Sequence, residues 1–86
     1  MTALISMDER REHFAYCVQL FGGTTAFSRR LGIDERAIRR FINGEWPLGA
    51  GLLDDTAKAL RLLIAEAATA EAQIAATLSV LPTDPS

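Results

Sequence analysis

Apolar residues recur along this chain at intervals of three and four positions, the spacing of helices with one buried face. The first such segment contains Phe14, Cys17, Val18 and Phe21. No stretch alternates polar and apolar residues with a period of two, so no strand is predicted. The pattern predicts an all-α fold of four to five helices.

Polar residues and glycines predict the ends of the first helix. Ser6 and Glu9 have the spacing of a capping box, which places the helix start near Met7. Gly22–Gly23 predicts its end, because glycine readily adopts the left-handed conformation that closes a helix.

A second, short helix is predicted directly after these glycines. Phe27 and Leu31 are four positions apart and share one face. Thr24 or Thr25 is predicted to cap the start of this helix with its hydroxyl, and Gly32 to end the helix.

A third helix is predicted between an Asp34 cap and a stop at Asn43–Gly44. Its buried side is predicted to consist of four apolar residues: Ala37, Ile38, Phe41 and Ile42. If the helix begins at residue 35, the arginines at positions 36, 39 and 40 fall on the opposite side.

The final helical pattern begins near Gly51, after the break at Trp46–Pro47, and continues to Leu81. Pro82 ends it. The sequence leaves open whether this segment is one long helix or two helices broken near residues 68–70.

Length and composition limit the class of protein. The chain has 86 residues, of which 49% are hydrophobic, and this favours one folded domain with a small core. Cys17 is the only cysteine, so no intrachain disulfide is possible. No leader pattern and no apolar run near the ~20 residues of a membrane span is visible. We therefore expect a soluble, cytoplasmic protein.

Charge is distributed unevenly along the chain, although the net charge is only −2. The formal charge is −1 over residues 1–23, +2 over residues 24–49 and −3 over residues 50–86. Five of the nine arginines and lysines lie between positions 29 and 40. A basic centre of this kind predicts an anionic partner for that segment.

Two short helices joined by a tight, glycine-containing turn form a helix-turn-helix pattern. The stretch TTAFSRRLGIDERAIRRFINGEWPL, residues 24–48, resembles the helix-turn-helix core of the Cro and phage-repressor class, also called the XRE family. The matching elements are FSRRLG at 27–32, Ile33-Asp34, Ile38, FING at 41–44 and LDDTAKAL at 53–60. The resemblance covers about residues 10–61 and matches in order and spacing.

This resemblance implies sequence-specific binding of duplex DNA by a homodimer. It implies a transcriptional repressor that occupies an inverted-repeat operator, as small regulators of phages and mobile elements do, including autoregulators encoded beside anti-CRISPR genes. The chain departs from the family at Thr24, where glutamine is frequent, and at Ser28, where alanine is usual. Glu35 is an acidic residue in a segment predicted to approach phosphates.

A recognition helix places its N-terminal residues at the base edges of the major groove, where arginine grips guanine and acidic groups accept from cytosine. We therefore predict that Arg36, Arg39 and Glu35 read bases. The residues predicted to hold the DNA backbone are Thr24, Thr25, Arg29, Arg40 and Asn43. The alternative is a solvated face, in which Glu35 pairs with Arg39 and Arg29 or Arg30 pairs with Asp34 or Glu35.

Three parts of the chain are predicted: a helix-turn-helix DNA-binding domain at 1–61, a helical dimerisation extension at 62–81 and a tail at 82–86. No other element remains to cover the outer half of the last helix, and an uncovered apolar stripe indicates a partner surface. A second copy of the chain is the predicted partner. Its predicted contacts are Ile64, Ala67, Ile74 and Leu78.

The rival interpretation is a helical protein-interaction module, or an antitoxin-like partner binder, without specific DNA binding. An enzyme is not expected, because no nucleophile with a base and no paired carboxylates are evident. We expect no cofactor, no small-molecule ligand and no metal site, since His13 has no partner ligand at metal spacing. Cys17 and Trp46 are predicted to serve packing.

Overall fold

The computed structural model describes residues 7–80, which form four helices and no strand. The helices are α1 (Met7–Leu20), α2 (Thr24–Leu31), α3 (Glu35–Asn43) and α4 (Ala50–Val80). The prediction of an all-α fold with a long C-terminal helix is therefore confirmed. The predicted Ser6 cap and the predicted stop at Pro82 lie outside the described residues.

Helices α1, α2 and α3 enclose a small apolar core. Its buried members are Phe14, Val18, Phe27, Ile38 and Leu48. The Phe14 and Phe27 rings meet edge-to-face with their centroids 5.5 Å apart, and aromatic pairs favour this geometry. Phe21 packs half-buried against Phe27, with the ring centroids 5.2 Å apart. The apolar face predicted for the first helix thus lies against the core.

Leu48 is a core residue that the periodic pattern did not include. It lies in the connection between α3 and α4 and is 2% exposed. Helical spacing cannot detect a buried residue in a loop, because the loop has no repeating face. Leu48 therefore anchors this connection to the core, directly before α4.

The predicted cap of α2 is wrong. The N-cap is Gly23, no side chain caps the helix, and Thr24 is already the first helical residue. Gly23 has φ 108°, a conformation that threonine rarely adopts, and its carbonyl accepts the amide of Phe27 at 2.9 Å. With Thr24 as the cap, the helix would begin at Thr25. It begins one residue earlier, at Thr24. The Asp34 N-cap of α3 is placed as predicted, although its side chain makes no capping hydrogen bond.

α4 is one continuous helix of 31 residues, which settles the question of one helix or two. It runs without a break across the predicted boundary at residues 61 and 62. Thr56 is 4% exposed, and its hydroxyl donates to the carbonyl of Leu52 at 2.8 Å, so its burial leaves no polar group unpaired. Every residue from 64 to 80 is exposed.

Cys17 is buried beside the core, in agreement with a packing role. Burial raises the pKa of its thiol above the ordinary value, because the apolar surroundings disfavour the thiolate. Within residues 7–80, no helix is both long and apolar enough to cross a lipid bilayer.

Candidate nucleic-acid interface

The turn between α2 and α3 consists of Gly32, Ile33 and Asp34. Gly32 is left-handed, with φ 70° and ψ 31°, and its amide donates to the carbonyl of Ser28 at 2.8 Å. The amide of Ile33 donates to the same carbonyl at 3.2 Å, which closes the helix as in a Schellman motif. A tight turn with glycine at this position is the connection of a helix-turn-helix.

Ser28 contributes to this turn in a way that alanine cannot. Its hydroxyl donates to the carbonyl of Ile33 at 2.5 Å, across the turn. Alanine is usual at this position in the resembled family. Serine in its place therefore adds a hydrogen bond between α2 and the residues that lead into α3.

α3 has one buried side and one exposed side. Ile38 is fully buried, and Phe41 and Ile42 pack half-buried against the core. The arginines Arg36, Arg39 and Arg40 are all exposed. Residues 36, 39 and 40 lie on the face opposite Ile38, as the helical period predicts. α3 thus presents three guanidinium groups to solvent from a helix held by its apolar side.

Glu35 links the first turns of α2 and α3 and also restrains Arg39. One carboxylate oxygen, Oε1, accepts the Thr25 hydroxyl at 3.1 Å and lies 3.6 Å from Nη1 of Arg39. The side chains of Arg39 and Glu35 are 56% and 37% exposed, so water screens this pair strongly. A competing anion can therefore displace the carboxylate from Arg39 at small cost.

Arg40 lies against the loop that follows α3. Its guanidinium carbon is 5.1 Å from the centroid of the Trp46 ring, and its Nε is 3.9 Å from a carboxylate oxygen of Glu45. Trp46 also packs against Phe41, with the ring centroids 5.4 Å apart, and this agrees with the predicted packing role. Arg40 is therefore held at the C-terminal end of α3 while remaining exposed.

Arg36 and Arg29 are exposed and make no ion pair or hydrogen bond within residues 7–80. Neither position is neutralised by the rest of the described chain. Of the predicted interface residues, these two therefore carry the most available positive charge.

The alternative in which Arg29 or Arg30 pairs with Asp34 or Glu35 is not found in the structure. Arg30 pairs instead with Glu66 of α4, with Nη2 and Oε1 2.8 Å apart, and its guanidinium lies 5.9 Å from the centroid of the Phe21 ring. Sequence spacing gives no signal for this contact, because α2 and α4 meet only after the chain has folded.

The other predicted backbone contacts lie at the ends of α2 and α3. Thr24 is half-buried, Thr25 is exposed and bonded to Glu35, and Asn43 is the exposed last residue of α3. Gly44 follows with φ 84°, and a Cβ there would lie 3.1 Å from Nε of Arg11. Arg11, which sequence reasoning did not select, thus lies beside the end of α3.

The residues predicted for dimerisation lie on the exposed part of α4, residues 64–80. Ile64, Ile74 and Leu78 are 67%, 62% and 65% exposed, and Ala67 is exposed as well. These large apolar side chains lie on a part of α4 that no other segment of residues 7–80 covers, and they form a surface suited to a partner. No group of three or more potential metal ligands occurs among residues 7–80.

No protein-family model matches the chain, and searches of curated proteins and of solved structures found no match. The assignment to the Cro and phage-repressor class therefore rests on the motifs in residues 24–60 and stays a prediction.

Proposed function

We propose that this chain is a sequence-specific DNA-binding repressor that acts as a homodimer. In this proposal α3 lies in the major groove of duplex DNA, and the protein blocks transcription by occupying its operator. It acts in the cytoplasm and requires no cofactor or small-molecule ligand. Its natural setting is the control of phage or mobile-element genes.

The observation that carries the proposal is the division of α3 into a buried apolar side and an exposed arginine side. Ile38 holds the helix in the core, while Arg36 and Arg39 are exposed near the N-terminal end, the end that reaches base edges in this class of protein. Arginine forms paired hydrogen bonds to the O6 and N7 atoms of guanine. Arg36 and Arg39 are therefore the proposed base readers, and Glu35 is a candidate for accepting from cytosine.

The proposed backbone contacts surround this centre. They are made by Thr24, Thr25, Arg29, Arg40 and Asn43. Four or five phosphate contacts in each subunit correspond to a slope of roughly −7 to −9 in a plot of log affinity against log salt concentration. Two subunits related by a two-fold axis would bind an inverted repeat with half-site centres about one helical turn, ~10 base pairs, apart.

Selection of bound duplexes from a random library tests the proposal. The expected result is enrichment of an inverted repeat, followed by loss of its binding in the Arg36→Ala/Arg39→Ala variant. Arg10→Ala is the matched control, because Arg10 is an exposed arginine on α1 whose guanidinium lies against Met7 of the same helix. Failure to enrich any sequence, with only weak and salt-sensitive binding, would contradict the proposal.

The alternative function is a helical protein-interaction module. The exposed apolar residues of α4 and the neutralisation of Arg39 by Glu35 favour it. Under this alternative, loss of all three α3 arginines leaves activity unchanged, whereas Ile74→Asp or Leu78→Asp abolishes partner binding. Under the repressor proposal, those two substitutions also weaken DNA binding, because a monomer contacts a single half-site.

A further inference from the structure

One set of apolar residues on α4, exposed except for half-buried Leu60, follows a heptad pattern that a charged residue interrupts. Two series of positions, each with a period of seven, run along one side of the helix, as in a coiled coil. One series contains Leu60, Ala67 and Ile74. The other contains Ile64, Glu71 and Leu78. We call these six residues the α4 stripe.

The α4 stripe is separate from the side of α4 that packs on its own domain. That side contains Leu52, Thr56 and Leu63, and also Glu66, which pairs with Arg30. At 3.6 residues per turn, the two sides are roughly a quarter of a turn apart around the helix axis. A second helix can therefore lie on the stripe without displacing α2.

Three charges on α4 have no ion-pair partner in the described part of the chain: Asp55, Arg61 and Glu71. Lys58 pairs with Asp54 at 3.1 Å, and Glu66 pairs with Arg30. Arg61 and Glu71 make no ion pair within residues 7–80. Arg61, the unpaired cation, is in the N-terminal half of the helix. The unpaired carboxylates are Asp55, near the start of the helix, and Glu71, in the C-terminal half.

The position of Glu71 within the stripe discriminates between two ways of pairing α4 with a second copy. In a parallel pair each series faces itself, so Glu71 would face Glu71 of the other copy. The nearest unpaired cation, Arg61, would be ten positions away, about 15 Å along the helix. Two carboxylates facing each other without a cation would oppose this arrangement.

An antiparallel pair places each series opposite the other. The register that brings Ile64 against Ala67 of the second copy also brings Leu60 against Glu71. Arg61 follows Leu60 directly, and its long side chain then lies beside that carboxylate. Two-fold symmetry makes the same contact twice, so Arg61 and Glu71 of each copy both gain an ion-pair partner.

We propose that a second copy of this chain docks antiparallel on the α4 stripe, with Arg61 of each copy paired to Glu71 of the other. This inference rests on the homodimer of the proposed function and adds its orientation and its ion pairs. The centre of the pair lies between residues 65 and 66. At 1.5 Å per residue, the two Thr56 positions are about 28 Å apart along the axis, comparable with the ~34 Å between adjacent major-groove half-sites.

A distance between spin labels on the full chain tests the orientation. The label is attached at Ser79→Cys in a Cys17→Ala background, since Cys17 is the only natural cysteine. The antiparallel pair predicts a separation of about 40 Å, whereas a parallel pair predicts less than ~20 Å. Ala65→Cys is the control, because both orientations bring its labels close together. A short Ser79→Cys distance, or a chain that stays monomeric, overturns the inference.

Charge exchange tests the ion pairs while Cys17 is kept. Arg61→Glu and Glu71→Arg are each expected to weaken dimerisation roughly tenfold in sedimentation equilibrium, and the double exchange is expected to restore it to within about threefold. In a parallel pair, Glu71→Arg replaces one like-charged contact by another, and the double exchange rescues nothing. That result would overturn the inference.

Neither measurement contains DNA. Failure of DNA binding and failure of the antiparallel pair are therefore separate results, and each can occur without the other.

Discussion

Nη2 of Arg30 lies 2.8 Å from Oε1 of Glu66, and this ion pair connects the helix-turn-helix to the long C-terminal helix. Arg30 is the penultimate residue of α2, and Glu66 lies beyond the part of α4 that packs on the core. The pair therefore restrains the direction in which the free half of α4 leaves the domain. The position of a dimer partner relative to α3 depends on that direction.

A double-mutant cycle with Arg30→Gln and Glu66→Gln measures this connection. Their side chains are 29% and 59% exposed, so we expect a coupling free energy of about 0.5–1 kcal/mol that decreases as salt rises. Urea denaturation supplies the free energy of unfolding for each variant. The pair Asp54 and Lys58, four positions apart within α4, is the local control. Additive effects of the two substitutions would show that the pair stabilises nothing.

Leu48→Ala tests whether the connection before α4 is anchored in the core. Leu48 is 2% exposed, so we expect the free energy of unfolding to fall by about 2–4 kcal/mol. Leu62→Ala is the matched control, because that leucine is 60% exposed and its loss should change stability by less than about 0.5 kcal/mol. Equal effects in thermal denaturation would contradict the burial of Leu48.

Gly44→Ala tests the end of α3. The φ of 84° and the approach of a new Cβ to within 3.1 Å of Arg11 Nε should together cost about 1–2 kcal/mol in the free energy of unfolding. Gly32→Ala shares the positive φ, but its Cβ would meet open space. Gly51→Ala, inside α4 with open space and no positive φ, should be neutral or slightly stabilising. A neutral Gly44→Ala would contradict this account.

The roles of the α3 arginines are distinguished by binding to specific and random duplexes. Arg36→Ala or Arg39→Ala should weaken specific binding by ~1–3 kcal/mol and relax one base position. Arg40→Ala should weaken both kinds of binding similarly, because Arg40 is assigned to phosphate. Equal loss on both duplexes for Arg39→Ala would move that residue to the backbone group.

Glu35→Gln removes the one carboxylate in the first turn of α3 and releases Arg39 from its ion pair. We expect tighter binding to random duplexes, by roughly twofold to tenfold, and a salt slope steeper by about one unit. Glu12→Gln, an exposed acid on α1, should leave both quantities unchanged. If Glu35 reads cytosine, affinity for the selected operator falls while affinity for random DNA rises. No change in either would place Glu35 and Arg39 outside the interface.

Much of this fold could be read from the sequence because its helices are short, amphipathic and separated by glycines. Gly32 and Gly44 are left-handed at the ends of α2 and α3, as predicted, because no other residue adopts that conformation so readily. The predicted cap at Thr24 was wrong, because the N-cap position has a positive φ that glycine adopts far more readily than threonine. Gly23, with φ 108°, is the N-cap of α2, and the hydroxyl of Thr25 bonds to Glu35 instead of capping the helix. Whether a threonine hydroxyl caps its own helix or bonds elsewhere depends on partners, such as Glu35, that are distant in sequence.

The sequence by itself determined which residues of α1, α2 and α3 face the core, since burial follows a period that the chain carries locally. It also determined that the arginines of α3 face away from Ile38. Local spacing already indicated the pair of Glu35 with Arg39. Only the tertiary structure decided the longer-range partners, because Arg30 with Glu66 and Arg40 with Trp46 meet through the relative placement of separate elements. The burial of Leu48 and the unbroken course of α4 were decided there as well. Both depend on how the helices and their connections pack against one another, which no local sequence pattern encodes.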